Sequence, residues 1–296
     1  MPDEVTTTAG FTGLWKPATA GERLVHFLAN NVTDLQTMDL RAMSILAGVT
    51  RGPNFGHFLQ GCLVLHCFGR LLQVSKHFRT THLDDASAAL LSIETFAIDR
   101  LSISRGTCKN FEQLSMLSLE AAEKSAKASA TPNNREKFKV RELCHGVYRC
   151  YSCDRELSAT ASREDASFLS YDHVWPHSFG GDSIEVNLLP SCQDCNTAKQ
   201  HTISWEWGLV QSILPQTELG EAELHSLRLS RASKIALHMR AAMDYARMHG
   251  TTLKDGFLSV GPRLADRIIV ADPDDTPDFF NLRVHDTTRT DVLWEA

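Results

Sequence analysis

The sequence lacks the features that would assign it at once to a membrane, secreted or nucleic-acid-coating class. No stretch reaches the roughly 18 uninterrupted apolar residues of a membrane span, and the longest apolar patch, residues 59–72, is broken by glycine, histidine and arginine. The first residues, MPDEVTTTAG, lack the basic start and apolar core of a secretory signal. The net charge of −6 argues against a surface covered throughout with phosphate contacts. We therefore expect a cytoplasmic protein with no membrane partner.

Apolar residues recur at three- and four-residue steps over much of the chain, a pattern typical of helices. They predict two helices within residues 20–48 and further helices over residues 55–78, 83–101, 108–130 and 218–249. The turn sequence TPNN at residues 131–134 indicates a boundary. We expect a mainly α protein with a small α+β insert, divided into a helical domain (1–134), a cysteine-containing domain (135–214) and a C-terminal helix with an acidic tail (215–296).

The predicted N-terminal helical bundle carries no chemical motif. It contains no internal repeat, nucleotide-binding loop or helix-turn-helix signature, and its histidines lack the spacing of metal ligands. Its role stays open among binding a regulatory partner, forming a homo-oligomer and shielding the neighbouring domain.

Four of the eight cysteines form two Cys-x-x-Cys pairs. Two such pairs can supply four thiolates to one tetrahedral ion, and Zn²⁺ suits this set best. Two disulfides, or four unrelated buried thiols, are the alternatives. A site with four thiolates leaves no open position for a substrate, so we expect this zinc to be structural. The predicted ligands are Cys150, Cys153, Cys192 and Cys195.

Between and within the cysteine pairs lies the run YDHVWPHSFGGDSIEVNLLPSCQDCNTAK. Its start is β-prone, its Gly-Gly pair indicates a turn, residues 187–189 are expected to form a loop, and the second cysteine pair is expected to open a helix. Neighbouring strand residues point to opposite faces, so Asp172 and His173 can serve a metal ion and the water beside it. The whole pattern resembles the HNH endonuclease family, including the HNH domain of RNA-guided CRISPR effectors, over about residues 148–207.

This resemblance implies a ββα-metal fold and a role for each motif residue. His173 matches the general base that deprotonates the attacking water, and a neutral imidazole is available near neutral pH. Asp172 and Asn196 match the protein ligands of a catalytic divalent ion, and their hard oxygen atoms suit Mg²⁺ or Mn²⁺. Asn187 matches the position that braces the loop and orients the base. The nearby His177 and His201 are alternative metal ligands, although we expect each to face solvent or phosphate.

The resemblance also implies a nucleic-acid substrate, which we expect to be double-stranded DNA. Lys199 stands where the family often has a basic residue near phosphate. Lysine and arginine also collect just before the first cysteine pair. There Lys139, Arg141 and Arg149 either contact a phosphate backbone or belong to a solvated linker.

Two other functions fit the sequence. A zinc-stabilised scaffold could bind nucleic acid or a partner without cutting, although a pure scaffold has no need of Asp172, His173, Asn187 and Asn196 together. Alternatively, the nuclease could be a toxin or phage-defence effector that the helical domain gates, a reading that rests on architecture alone.

Overall fold

The computed structural model describes residues 14–32, 53–83, 85–126, 131–199 and 231–262. The protein is mainly helical, as the sequence predicted. Its first four helices are α1 (Ala20–Asn31), α2 (Pro53–Thr81), α3 (Ala86–Asp99) and α4 (Phe111–Lys124). The second helix predicted within residues 20–48, the start of the helix predicted over 218–249, His201 and the acidic tail lie outside the described residues. None of the described helices combines the length and the apolar character that crossing a membrane requires.

Two short antiparallel hairpins follow a fifth helix, α5 (Asn134–Leu143). Strand β1 (Tyr148–Arg149) pairs with β2 (Glu156–Leu157), and β3 (Ser170–His173) pairs with β4 (Leu188–Ser191). Helix α6 (Gln193–Lys199) comes directly after β4. The ββα-metal arrangement stays a prediction, and the loop predicted over residues 187–189 is wrong at its end. Leu188 and Leu189 are buried members of β4 because they pair with His173 and Asp172.

The chain ends, within the described residues, in a helical pair formed by α7 (Arg231–His249) and α8 (Leu253–Val260). The two helices approach closely at Gly256, where an added Cβ would lie 2.2 Å from the carbonyl oxygen of Ala242. Lys254 of α8 donates a hydrogen bond to the carbonyl oxygen of Glu185 over 2.7 Å and forms an ion pair with the carboxylate of the same residue. The C-terminal pair is therefore fixed to the segment that precedes β4.

One hydrophobic core joins the helices to the segment after β3. The Trp175 ring packs edge-on against Phe68 of α2 with ring centroids 6.1 Å apart, and Phe179 packs against the same Phe68 at 5.8 Å. Trp15, just before α1, lies 6.2 Å from Trp175. Burying aromatic side chains of this size supplies much of a core's stabilisation. The predicted domain boundary at residue 134 stays a prediction. Phe68, before that boundary, packs against Trp175 and Phe179, after it.

Candidate functional site

The four cysteines of the two Cys-x-x-Cys pairs converge on one point. Their sulfur atoms all lie within 4.8 Å of one another, and the Cys153 and Cys192 sulfurs are 3.7 Å apart. A tetrahedron with metal–sulfur bonds of about 2.3 Å has sulfur–sulfur edges of about 3.8 Å. All four are free thiols, which argues against two disulfides. Hydrogen bonds among the four thiols lower the pKa of Cys150 and raise the pKa of Cys192 and of Cys195, so these thiols share their protons closely. The donor set and its spacing fit Zn²⁺.

The sulfur cluster anchors both hairpins and α6. Cys150 follows β1, Cys192 follows β4, and Cys195 lies in α6, with its N–H donating to the Cys192 sulfur over 3.4 Å. Leu157 and Leu169 complete a small core around the sulfurs that is separate from the main one. A bound ion would therefore hold α6 against the β3–β4 hairpin.

Strand β3 presents Asp172 and His173 to opposite sides, as the strand period requires. Asp172 is buried together with Ser170, whereas Tyr171 and His173 are half-buried. Helix α6 covers the Asp172 side. The Asn196 amide donates to the Ser170 hydroxyl over 3.3 Å, and Lys199, one turn later, reaches the Asp172 carboxylate. The two predicted metal ligands thus lie at the same interface between β3 and α6.

The Asp172 carboxylate has two partners in this buried interface. The Lys199 ammonium lies 3.1 Å from Oδ1 and 3.0 Å from Oδ2, and the Tyr151 hydroxyl donates to Oδ2 over 2.5 Å. Burial raises the pKa of Asp172, while the charge of Lys199 and the Tyr151 hydrogen bond act against that rise. Lys199 also donates to the His173 carbonyl oxygen. Both carboxylate oxygens are therefore occupied, and a divalent ion could bind Asp172 only if the Lys199 ammonium moved away.

His173 lies on the other side of β3, beside the segment that follows. Its Nε2 atom is 2.9 Å from the Ser183 hydroxyl, and its ring centroid is 5.6 Å from that of His177. Because a hydroxyl can donate or accept, this contact orients the ring of His173 without deciding which nitrogen carries the proton.

The Asn187 side chain ties the segment after His173 into a closed turn. Its Oδ1 accepts from the Trp175 N–H over 2.7 Å, and its Nδ2 donates to the carbonyl oxygens of Trp175 and Asp182 over 3.0 Å each. Gly181 lies inside this turn, and a Cβ there would meet the Trp175 carbonyl oxygen at 2.0 Å. These contacts correspond to the bracing that the resemblance implied for Asn187.

The residues expected to contact nucleic acid occupy varied environments. Lys199 is buried with the Asp172 carboxylate, so we assign its ammonium to that ion pair and not to a phosphate. Arg149 is paired with Asp154 at the surface, and Lys139 with Glu136. Arg141 donates to the Tyr171 hydroxyl over 2.7 Å. Tyr171 shares the half-buried face of β3 with His173, so Arg141 contacts that side of the strand.

Two residues of the site were missed by sequence reasoning. Ser183 belongs to the Asp-Ser-Ile element that the resemblance includes, which offered a signal for it. Tyr151 lies between the first two cysteines, and nothing in the spacing indicates that its hydroxyl reaches Asp172.

Comparison with protein families bears on this same segment. Residues 150–202 match the family model described as HNH endonuclease. This segment is an HNH domain. No curated protein and no solved structure matches the chain significantly. The matched segment spans both cysteine pairs, β3, β4 and α6, and so contains the sulfur cluster, Asp172, His173, Asn187 and Asn196, whereas Lys139, Arg141 and Arg149 precede it. Membership of this family suggests nuclease activity on nucleic acid.

Proposed function

We propose that the protein is a metal-dependent endonuclease that hydrolyses phosphodiester bonds in DNA. The observation that carries this proposal is the arrangement around β3, within the HNH domain. A buried carboxylate faces α6 on one side of the strand, and an imidazole oriented by a hydroxyl lies on the other. The adjacent four-thiol cluster supports a structural Zn²⁺ that keeps this arrangement in place.

His173 is the proposed general base. When Nε2 carries the proton and donates to Ser183, the lone pair of the neutral ring resides on Nδ1, and that nitrogen can take a proton from water. Deprotonated water then attacks the phosphorus in line with the leaving 3′ oxygen, which gives products with 5′-phosphate and 3′-hydroxyl ends. Asn187 keeps the segment after His173 closed, which maintains the position of Ser183 beside the ring.

Asp172 and Asn196 are the proposed holders of a divalent cation, Mg²⁺ or Mn²⁺. When bound, such an ion neutralises charge that develops on the phosphoryl group and on the leaving oxygen. Their oxygen atoms suit a hard cation that retains several waters. In the structure Lys199 and Tyr151 occupy both oxygens of the buried Asp172 carboxylate, so binding of the ion requires the Lys199 ammonium to move away.

Plasmid cleavage by the purified protein tests this proposal. We expect nicking or cutting with Mg²⁺ or Mn²⁺, loss of activity in EDTA, and about one zinc per chain by elemental analysis. His173→Ala should abolish cutting, while His249→Ala, at the exposed end of α7, should leave it unchanged. Equal cutting by His173→Ala would show that His173 is not the base.

A nuclease gated by its helical part is a second candidate, favoured by the shared core. Helices α1 and α2 directly contact the segment that follows His173, through Gly21 and Phe68. Folded, zinc-loaded protein that cuts only after a second molecule is added would support this effector. Folded protein that never cuts would favour the non-cutting scaffold.

A further inference from the structure

Lys76, in α2, reaches the HNH domain close to the proposed base. Its ammonium donates to the carbonyl oxygen of Ser178 over 3.4 Å. The residue before Ser178 is His177, whose ring centroid lies 5.6 Å from that of His173. The side chain of Lys76 is half-buried, so part of it stays accessible to a ligand. A helix that lies outside the matched segment therefore places a cation near His173.

Lys76 differs from three other lysines that contact residues 170–187, because each of those has a carboxylate partner. These pairs are Lys124–Asp182, Lys199–Asp172 and Lys254–Glu185. Among the described residues Lys76 has no carboxylate partner, and its hydrogen bond to a carbonyl oxygen uses one of the three N–H donors of an ammonium. Burial lowers the pKa of Lys76 to about 8, so the group is mostly charged at neutral pH. A partly buried charge without a counter-charge is unfavourable, and a bound anion would remove that cost.

A second basic side chain without a carboxylate partner lies on the His173 side of β3. Arg141 Nε donates to the Tyr171 hydroxyl over 2.7 Å, and Tyr171 occupies the same half-buried face of the strand as His173. Within the part of the chain that the structure describes, Arg141 forms no ion pair with an acidic residue. Residues two apart on a strand are separated by about 7 Å. Arg141 and Lys76 thus contact the residues that come before and after His173, and both are available to an anion.

From these contacts, and resting on the proposed function for the identity of the ligand, we infer that Lys76 binds a phosphate of the DNA strand that is cut. Arg141 binds the same strand on the Tyr171 side of His173. Lysine serves this role as a compact point charge with rotatable donors, and contacts to phosphate position a strand without reading its sequence. The helical part of the protein then supplies a piece of the substrate site that the HNH domain alone lacks.

The test measures binding of the full chain to a short fluorescein-labelled DNA duplex by fluorescence anisotropy, without added divalent cation and over a range of salt concentrations. Each phosphate contact contributes about −0.9 to the slope of log K against log salt concentration. Lys76→Met should therefore make this slope shallower by about one and weaken binding about five- to tenfold at about 0.1 M salt. Binding within twofold of the wild type with an unchanged slope would overturn the inference.

The same variant separates a binding role from a structural one. Removal of a buried charge is expected to stabilise the fold, so weaker DNA binding by Lys76→Met would not follow from unfolding. Lys76→Gln covers the case in which Lys76→Met does not fold, and it should give the same shallower slope. An unchanged slope in Lys76→Gln would also overturn the inference.

Lys109→Met is the matched control. Lys109 is exposed and precedes α4, whose other end, about 20 Å away, packs on Gly180 through Ala121. Lys109→Met should bind DNA like the wild type, and an equal loss of affinity in this variant would overturn the assignment to Lys76. Arg141→Gln should make the slope shallower by about one, and the double variant with Lys76→Met by about two.

Failure of this inference can be told from failure of the proposed function. A wild type that cuts DNA, with Lys76→Met binding and cutting equally well, would overturn the inference alone. A wild type that binds DNA with the expected salt dependence, yet cuts none with Mg²⁺ or Mn²⁺, would overturn the proposed function and leave the phosphate contact supported.

Discussion

The backbone N–H of Gly21, in the first turn of α1, donates a hydrogen bond to the carbonyl oxygen of Gly180 over 3.0 Å. Gly180 adopts a left-handed conformation with φ of 77°, which a glycine takes at low cost. The bond joins a helix at the start of the chain to the turn that follows the proposed base. At the same end of α1, Asp182 accepts from the Ala20 N–H over 3.3 Å.

Gly21→Ala should disrupt this junction. The added Cβ would lie 1.9 Å from the Phe179 carbonyl oxygen and 2.4 Å from Trp175 Nε1, two atoms that are hydrogen-bonded to each other. Overpacking of this kind lowers the unfolding free energy by about 3 kcal/mol. Urea unfolding should report this loss, and the rate of DNA cutting should fall. Gly69→Ala, in α2, has no atom within 4 Å of its new Cβ and should be neutral or slightly stabilising. Equal stability of Gly21→Ala and Gly69→Ala would contradict the close packing of α1 against the turn that contains Gly180.

Asn187→Ala should open the turn after His173. It removes the partners of three buried backbone groups in Trp175 and Asp182, at a cost of about 2–4 kcal/mol. Asn110→Ala, which removes only the cap of α4, should cost about 1 kcal/mol. Denaturant midpoints and nicking rates of the two variants check this order. An Asn187→Ala protein as stable and active as Asn110→Ala would rule out the bracing role.

Cys192→Ser should lose the zinc and with it the small core around the sulfurs. Cys192 is completely buried between Cys150 and Cys153, so one oxygen in its place removes a ligand that no neighbour can replace. Elemental analysis should find far less than one zinc per chain, and cutting should be absent. Cys144→Ser, whose thiol lies outside the cluster, should keep its zinc. Zinc retained at full occupancy by Cys192→Ser would refute the assignment.

Lys76→Met should change how stability depends on pH. Burial lowers the pKa of Lys76 from 10.5 to about 8 in the folded protein. Between these two pKa values the unfolded chain binds more protons than the folded protein, so the unfolding free energy rises with pH. Below pH 8 Lys76 is charged in both states, and the full cost of burying its charge lowers the stability of the folded protein. The variant should lack this rise and be more stable at pH 7 by about 1–3 kcal/mol. Urea unfolding at pH 7 and pH 10 tests this prediction, with the exposed Lys109→Met as the control. The prediction would be contradicted if the unfolding free energies of the wild type and Lys76→Met changed with pH in parallel.

Much of the site could be predicted because its motif residues stand at fixed spacings in the sequence. The two cysteine pairs, the turn braced by Asn187 and the helix that bears Asn196 follow from residues close in sequence. The position of Lys199 could not be predicted, since its ammonium has a choice between solvent and a carboxylate 27 residues away, and only packing decides it. The Tyr151 contact depends in the same way on helices almost a hundred residues further along.

The fold was predictable where apolar periodicity is strong and not where it is weak. α5 is rich in charge and was expected to be part of a basic stretch, yet it is a helix because Val140 is buried and Glu136 accepts from the Glu185 N–H over 2.7 Å. A loop was expected over residues 187–189, but Leu188 and Leu189 belong to β4, and the carbonyl oxygen of Pro190 in that strand accepts a hydrogen bond from the Tyr151 N–H. The helix α8 was not predicted at all, as it is short.

The packing of Trp175 and Phe179 against Phe68 limits where the chain can be truncated. A fragment cut out at residue 135 would present two large aromatic side chains to water and would lose the helix end that receives Asp182. Such a fragment could not be transferred to another protein on its own. The host protein would have to supply helices that pack on Trp175 and Phe179 before the segment after His173 could be held in position.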